Sequence, residues 1–317
     1  MSNRTNREQH QRLTLGAIAV TFTLLLLVFA ILLVCNVVAA IKDRNHDQPE
    51  QPDTQTPEQP DEPEEPVYMT VSLTSDEINR GDLILVNASH QYVFPVTDGH
   101  LVSVYHSQVQ AQTKDEYFLV ARENIKMDVD AYSAMTKMLT DFSQQSGLCN
   151  VQITVGYRSY EQQQALGSST KAGYSDHHTG LCMALNVRDG GKSYELSSKA
   201  DYAWIYANCH KYGFVVRYPA DKSAQTGVSD YTECFRYVGG VHAYVMMMSN
   251  WCLEEYVANI RAYTQDTPMK VALDGADYDV FYVAATGAMT EITLPDGANY
   301  TVSGDNVGGF IVTVKYS

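Results

Sequence analysis

The chain has 317 residues, 45% of them apolar, and a formal net charge of −15 at pH 7. That length can bury one substantial core and a smaller one. The acidic balance, with no Lys/Arg cluster downstream of the N-terminal segment, excludes nucleic acid as a partner, because phosphate binding needs a basic surface.

Residues 1–12 carry Arg4, Arg7 and Arg12, and an uncharged run from Leu13 to Ile41 with a single Asn follows. Such a run is long enough to cross a hydrocarbon core of about 30 Å, so residues 13–41 are predicted to form one transmembrane helix. The excess of positive charge before it places residues 1–12 in the cytoplasm and the rest outside. A leader cleaved after Ala40 is the alternative, although a secretory leader has an apolar core of only roughly 7 to 15 residues. Residues 42–66 hold six of the ten prolines among Glu, Asp and Gln, the composition of an extended, solvated linker.

A main domain is expected over residues 67–263. Gly81 to Asn87 reads as a turn entering a short buried strand. Tyr132, Met135, Met138, Leu139 and Phe142 recur at helical spacing between Asp128, an N-cap, and Gly147, a stop. Val151, Ile153 and Val155 alternate with polar residues, so a strand delivers Tyr157 and Arg158 at its exit, with a short helix through Glu161 and Gln163 after it. A helix ending at Gly213, strands at 214–218 and 235–238, and a helix from Leu253 complete the domain. His178 reads as an exposed neighbour of His177, and Glu254 and Glu255 as a solvated helix face. Few helices around short strands indicate α+β architecture. From residue 264 to 317, apolar runs punctuated by Asp274-Gly275 and Asp296-Gly297 predict a small all-β module.

Of the six cysteines, Cys35 lies in the apolar run and Cys149, Cys182, Cys209, Cys234 and Cys252 follow it. Outside the membrane disulfides persist, and five leaves at least one unpaired.

The blocks GYRSYEQQ (from Gly156), SDHHTGL (from Ser175), WxxxNxxxYGFVVRYP (from Trp204), Thr226-Gly227, FRYVG (from Phe235) and LEEY (from Leu253) occur in that order. Over residues 76–262 this set resembles the VanY-like D-alanyl-D-alanine carboxypeptidases, LAS-type zinc peptidases that trim peptidoglycan stem peptides. The resemblance implies a LAS-type domain, a small antiparallel sheet flanked by helices.

In that family SxHxxGxAxD supplies a zinc-binding His and Asp, and ExWH before FRYVG supplies the catalytic Glu and a third ligand. Here Ser175, His177 and Gly180 stay in register, but Cys182 stands at the usual Ala and Ala184 at the Asp. Asn186, two residues on along the same strand face, is a poor substitute ligand. Counting back from Phe235, Cys234 occupies the His position, Glu233 the Trp position and Tyr231 the Glu position. A catalytic zinc needs three protein ligands, an open water position and a base, and a phenol of ordinary pKa about 10 is poorly matched to the last role. No catalytic residue is therefore expected at Ala184, Tyr231 or Cys234, and no cofactor.

Tyr157, Arg158, Ser159, Gln163 and Ser175 match the family's substrate-holding positions. A guanidinium grips a terminal carboxylate bidentately; the structural alternative is that Arg158 ties the strand exit to a neighbouring loop. Cys182 and Cys234, on facing strands in the family, are expected to form a disulfide across the old metal site. The rival is a rebuilt zinc site from His177, Cys182 and Cys234. The functional expectation is a membrane-anchored, extracytoplasmic pseudopeptidase that binds peptidoglycan stem peptides or a cell-wall protein. An active zinc carboxypeptidase with substituted ligands and a ligand-free scaffold are the alternatives.

Overall fold

In the computed structural model, which describes residues 67–97, 99–196 and 200–316, the alternation at 151–155 forms a strand with Val151 and Ile153 buried. The predicted cytoplasmic segment, transmembrane helix and linker lie outside the described residues. Among the described residues no helix is long and apolar enough to cross a membrane.

Strands in chain order are β1 (Tyr68–Thr74), β2 (Leu101–Ser103), β3 (Leu119–Val120), β4 (Lys126–Asp128), β5 (Val151–Val155), β6 (Cys182–Asp189) and β7 (Lys192–Glu195). They continue with β8 (Phe214–Val216), β9 (Cys234–Tyr237), β10 (Met269–Leu273), β11 (Ala276–Ala284), β12 (Met289–Pro295), β13 (Asn299–Gly304) and β14 (Gly309–Tyr316). The helices used below are α1 (Val104–Gln110), α2 (Val129–Ser146), α3 (Tyr160–Ala165), α4 (Ala203–Asn208), α5 (Gly240–Ser249) and α6 (Leu253–Asn259).

The central sheet runs β3-β5-β6-β9-β8, with β7 folded back on β6. Its pairs are antiparallel except β3 with β5, so the expected antiparallel sheet is mixed. Because side chains alternate across a strand, Met183, Leu185, Val187 and Phe235 point into the core with Val151 and Ile153. They meet Met135, Met138, Leu139 and Phe142 of α2, the stripe read from the sequence. Asp128 caps α2, its Oδ1 accepting from the amides of Asp130 at 2.9 Å and Ala131 at 3.2 Å, and Gly147 ends it at φ 73°. The opposite sheet face carries Cys182, Ala184, Cys234 and Arg236 in register. β2 and β4 form a separate antiparallel pair that leads into α1 and α2 respectively.

The C-terminal strands form a sheet ordered β10-β11-β14-β13. Asp274-Gly275, with φ 51° and 79°, closes the β10–β11 hairpin, the left-handed pair that two-residue hairpins favour. Asp296-Gly297 closes no hairpin: β12 pairs with β1, Tyr68 opposite Pro295 and Thr74 opposite Met289. The β1–β12 pairing thus brings a strand from the start of the predicted main domain onto the C-terminal strands. Val271, Val280 and Ile311 share a core with Val245 and Met246 of α5 and with Leu83 and Leu85. The described residues form one compact unit.

The segment expected as a strand within 81–87 is buried but pairs with no strand. Arginine side chains replace a neighbouring backbone: Arg236 donates to the carbonyls of Asp82 and Ile84 at 2.8 and 3.1 Å, and Arg217 to that of Val86 at 3.3 Å. The Leu85 amide bonds the Asp305 carbonyl at 3.0 Å.

Candidate functional site

The site begins where β5 ends. A Cβ on Gly156 would lie 2.2 Å from the Lys126 carbonyl oxygen, so glycine alone lets the chain pass close to β4. The Tyr157 amide then bonds that same carbonyl at 2.7 Å, and the Arg158 amide bonds the His177 carbonyl at 3.0 Å. Two distant segments are thereby joined, the exit of β5 and the 3₁₀ turn Asp176–Thr179 that presents His177.

Buried charge holds that turn in place. The Asp176 carboxylate receives Nε of Arg217 on one oxygen and a terminal nitrogen of Arg236 on the other. Arg217 continues to Glu254 of α6 through two bonds of 3.0 and 2.8 Å. Two carboxylates and two guanidiniums thus balance in the interior, the condition under which buried ions persist. Burial would raise the pKa of Asp176, but the two arginines outweigh it and hold the carboxyl below its usual range. Glu254 is therefore an interior ion-pair partner, not a solvated residue. Glu255 caps α6 by accepting from the Cys252 amide at 3.0 Å, and it pairs with Lys222. A cue existed in the sequence: arginines in the otherwise apolar stretches FVVRYP and CFRYVG require buried acceptors.

His177 is itself nearly buried. Its Nδ1 lies 2.9 Å from the Gly156 carbonyl, which can only accept, so Nδ1 carries the proton. The lone pair on Nε2 then faces the Tyr231 hydroxyl at 3.0 Å. Tyr231 stacks on Tyr218, with centroids 5.8 Å apart and planes at 17°, and burial drives its pKa upward, away from any proton-accepting role at neutral pH. His178, expected to be exposed, is fully buried. Its Nε2 accepts from the Gly173 amide at 2.9 Å and its Nδ1 donates to the Arg158 carbonyl at 2.6 Å, and Phe94 meets its ring edge-on at 4.9 Å.

On the adjoining strands Cys234 stands opposite Ala184, and Cys182 opposite Arg236. Both cysteines are free thiols in the structure, where a disulfide was expected. The register sets them on a diagonal of adjacent strands, not directly across. Burial pushes both thiols up. Cys182 stays well above its ordinary value despite the attraction of Arg236, whereas for Cys234 the neighbouring Cys182 and His177 outweigh burial and bring the pKa down to about 6.

Arg158 donates to Gln163 Oε1 at 2.6 Å, and Gln163 Nε2 bonds the Ser168 hydroxyl at 2.9 Å and the Thr170 carbonyl at 2.8 Å. The guanidinium is thus tied to α3 and the loop after it. Burial lowers its pKa, and nearby Tyr231, Cys234 and Cys182 counter this. Ser159 caps α3, accepting from the Gln162 amide at 3.2 Å and donating to Glu161 at 2.9 Å. Ser175 is buried at the head of the His177 turn. Beside this group lies a cleft of about 460 Å³ lined by Ala184, Asn186, Tyr194, Glu195, Tyr231 and Glu233 among others.

Residues 124–240 match the family model described as VanY, D-alanyl-D-alanine carboxypeptidase. A D-alanyl-D-alanine carboxypeptidase of Enterococcus faecium is 31% identical over 252 residues, 77% of this chain and 78% of that protein. The chain belongs to the VanY D-alanyl-D-alanine carboxypeptidase family. Another relative, the putative carboxypeptidase YodJ of Bacillus subtilis (strain 168), is 36% identical over 124 residues, 33% of this chain and 45% of that protein. Among solved structures, the vancomycin-resistance D,D-dipeptidase VanXYg, in complex with a D-Ala-D-Ala phosphinate analogue, superposes with a TM-score of 0.69. It is 26% identical and covers 79% of this chain and 100% of its own. The mixed α+β, LAS-type fold is therefore the fold of this chain.

The zinc that this VanY fold implies does not fit the residues present. Ala184 offers no donor atom, and Nε2 of His177 is engaged by a phenol. Among the described residues no three His, Cys, Asp or Glu side chains gather as a metal-binding group. In the rival set of His177, Cys182 and Cys234 the imidazole Nε2 is likewise turned to Tyr231.

Proposed function

We propose that this VanY-family protein is a membrane-tethered, extracytoplasmic pseudopeptidase that binds the C-terminal end of a peptidoglycan stem peptide without cleaving it. One observation carries the reading: Tyr231 occupies Nε2 of His177 at 3.0 Å beside a neutral Ala184, while Arg158 is retained and held by Gln163. Hydrolysis through a metal-bound water needs three protein ligands and a base, and those positions now carry apolar, thiol and phenol groups. Recognition needs only a cation of fixed orientation. A guanidinium fixed on one nitrogen still has four N–H groups for a carboxylate. The D-Ala-D-Ala mimic held by the relative VanXYg supports a peptide of that kind as ligand. The uncharged run 13–41 and the arginines before it support the tether and its orientation.

The test uses the purified full chain. Zinc content after dialysis against micromolar zinc should be well below one per chain, and a D-Ala-D-Ala-terminated stem peptide should bind by calorimetry with no D-Ala released. Arg158→Ala should weaken that binding at least about tenfold, the order of one charge-assisted bond. Stoichiometric zinc with D-Ala release would establish an active carboxypeptidase instead. Absence of binding at millimolar peptide would leave the scaffold reading, with no small ligand.

A further inference from the structure

Between the start of α5 and the C-terminal sheet lies a cavity of about 440 Å³ that shares no lining residue with the His177 site. Its volume is ordinary for a small-molecule site. We propose that this cavity binds a short oligosaccharide. The inference goes beyond the stem-peptide reading and stands without it.

The floor is the face of a sheet. Tyr278, Lys315 and Asn299 form one row across β11, β14 and β13, followed by rows holding Thr313 with Thr301 and Ile311 with Ser303. Asn299 and Ser303 stand four residues apart on β13, which sets the length of the floor at about 14 Å. Gly239 and Gly240, where α5 begins, line the opposite wall. Two bonds hold the walls apart at a fixed spacing: Thr313 meets Nε2 of His242 on α5 at 3.2 Å, and the Ser303 hydroxyl accepts from the Leu83 amide at 2.9 Å. The cavity is therefore preformed.

Its lining selects the class of ligand. The backbone groups of β14 are engaged in the ladders to β11 and β13, so the floor offers side chains alone. A peptide, whose own amides and carbonyls all need partners, finds few there. A sugar finds the carboxylate of Asp82, the amide of Asn299 and the hydroxyl of Thr301 for its hydroxyl groups, and the rings of Tyr237 and Tyr278 for its apolar faces. Among the described residues, no hydrogen bond or salt bridge engages the side-chain ends of these five. Burial lifts the Asp82 carboxyl to about 6, and hydroxyl donors replace the hydration it has lost. Asp82 also balances Lys315, whose ammonium lies 5.9 Å over the Tyr278 ring, and a groove without net charge disfavours a strongly ionic ligand.

The experiment titrates the full chain with cellotetraose and with tetra-N-acetylchitotetraose, by calorimetry and by amide hydrogen exchange. At least one should bind and slow exchange in β13 and the first turn of α5. Thr301→Val, which keeps the shape and removes the hydroxyl, and Asn299→Ala should each weaken binding about threefold to tenfold, the worth of one neutral hydrogen bond. A Cβ on Gly240 meets no protein atom within 4 Å, so Gly240→Leu has room to fold and should block the cavity, with a loss of at least about tenfold. Preference for the N-acetylated strand would assign recognition of the acetamido group, and equal binding would assign recognition of the hydroxyls; either supports the site. The proposal is overturned if neither saccharide binds at tens of millimolar, or if Thr301→Val and Asn299→Ala both bind like wild type. Thr301 is an exposed strand position, so that variant decides the matter even if Gly240→Leu fails to fold.

Discussion

The Tyr231 hydroxyl lies 3.0 Å from Nε2 of His177, on the atom a metal would need. The phenol is anchored from behind by Tyr218, which in turn lies under the Arg217 guanidinium at 4.7 Å. This is a built contact, with an acceptor matched to a donor.

Restoring the charged donors should restore the metal. The combined substitution Ala184→Asp, Tyr231→Glu and Cys234→His supplies a carboxylate, a base and a second imidazole around His177, the donor set of a catalytic zinc site. The variant should retain about one zinc per chain by metal analysis, and Tyr231→Glu alone should retain none. Equal zinc in the two would show that ligand identity at 184 and 234 is not the obstacle.

Asp176 joins two buried arginines, and Asp176→Asn would leave both facing a neutral amide. Removing one partner of a buried pair costs about 3 to 5 kcal/mol, so urea unfolding should show a loss of that order. Glu254→Gln should cost less, because Glu254 is 12% exposed and water reaches what it leaves behind. Equal losses would mean that the network is not centred on Asp176.

Gly156→Ala places a methyl group 2.2 Å from the Lys126 carbonyl, in a contact between backbones that side-chain rotation cannot relieve. A loss of at least about 1 kcal/mol is expected. Peptide affinity should fall in parallel, because the Gly156 carbonyl orients His177 and the next residues position Arg158. An unchanged melting temperature would show that the exit of β5 can shift freely.

Two groups near the C-terminal sheet should give opposing pH dependences. Burial lowers the pKa of His242 from 6.5 to about 4; its ring bonds Tyr256 at 2.6 Å and Thr313 at 3.2 Å. The unfolded chain then binds more protons between those values, so this group makes stability rise with pH there. Burial, then repulsion from Asp128, raises Asp82 from 3.8 to about 6 despite attraction to Arg236. Here the folded state binds more protons, and stability falls as pH rises through the same window. In wild type the two slopes largely cancel. Asp82→Asn should therefore show a steeper rise in melting temperature from pH 4 to 6.5 than wild type, and a flatter one would refute this opposition.

Much of the fold was legible because periodicity reports burial directly: the α2 stripe from Met135 to Phe142 and the alternation of β5 appear where they were read. The segment 83–86 was not legible, since an apolar run does not reveal whether its carbonyls meet a strand or an arginine. β1 was missed because its partner, β12, lies more than two hundred residues away, and nothing local encodes that pairing. At the site, ordered motifs singled out His177, Arg158, Cys182 and Cys234. Their contacts depend on rotamers and register that spacing does not carry, so the Tyr231 contact and the free thiols emerged only in three dimensions. Asp176 stayed hidden because in SDHHTGL the histidines look like the chemistry, while the carboxylate beside them does the holding.

The pairing of β1 with β12 also bears on mechanics. A load arriving from the residues before Tyr68 enters the sheet at the Tyr68 and Pro295 pair and is passed to the neighbour strand near the chain's far end. The first element strained by a pull is therefore the β1–β12 ribbon. The His177 face, whose supports run through β5, β6 and β9, would be strained only after that ribbon had peeled, so tension at the N-terminal end need not disturb a bound ligand.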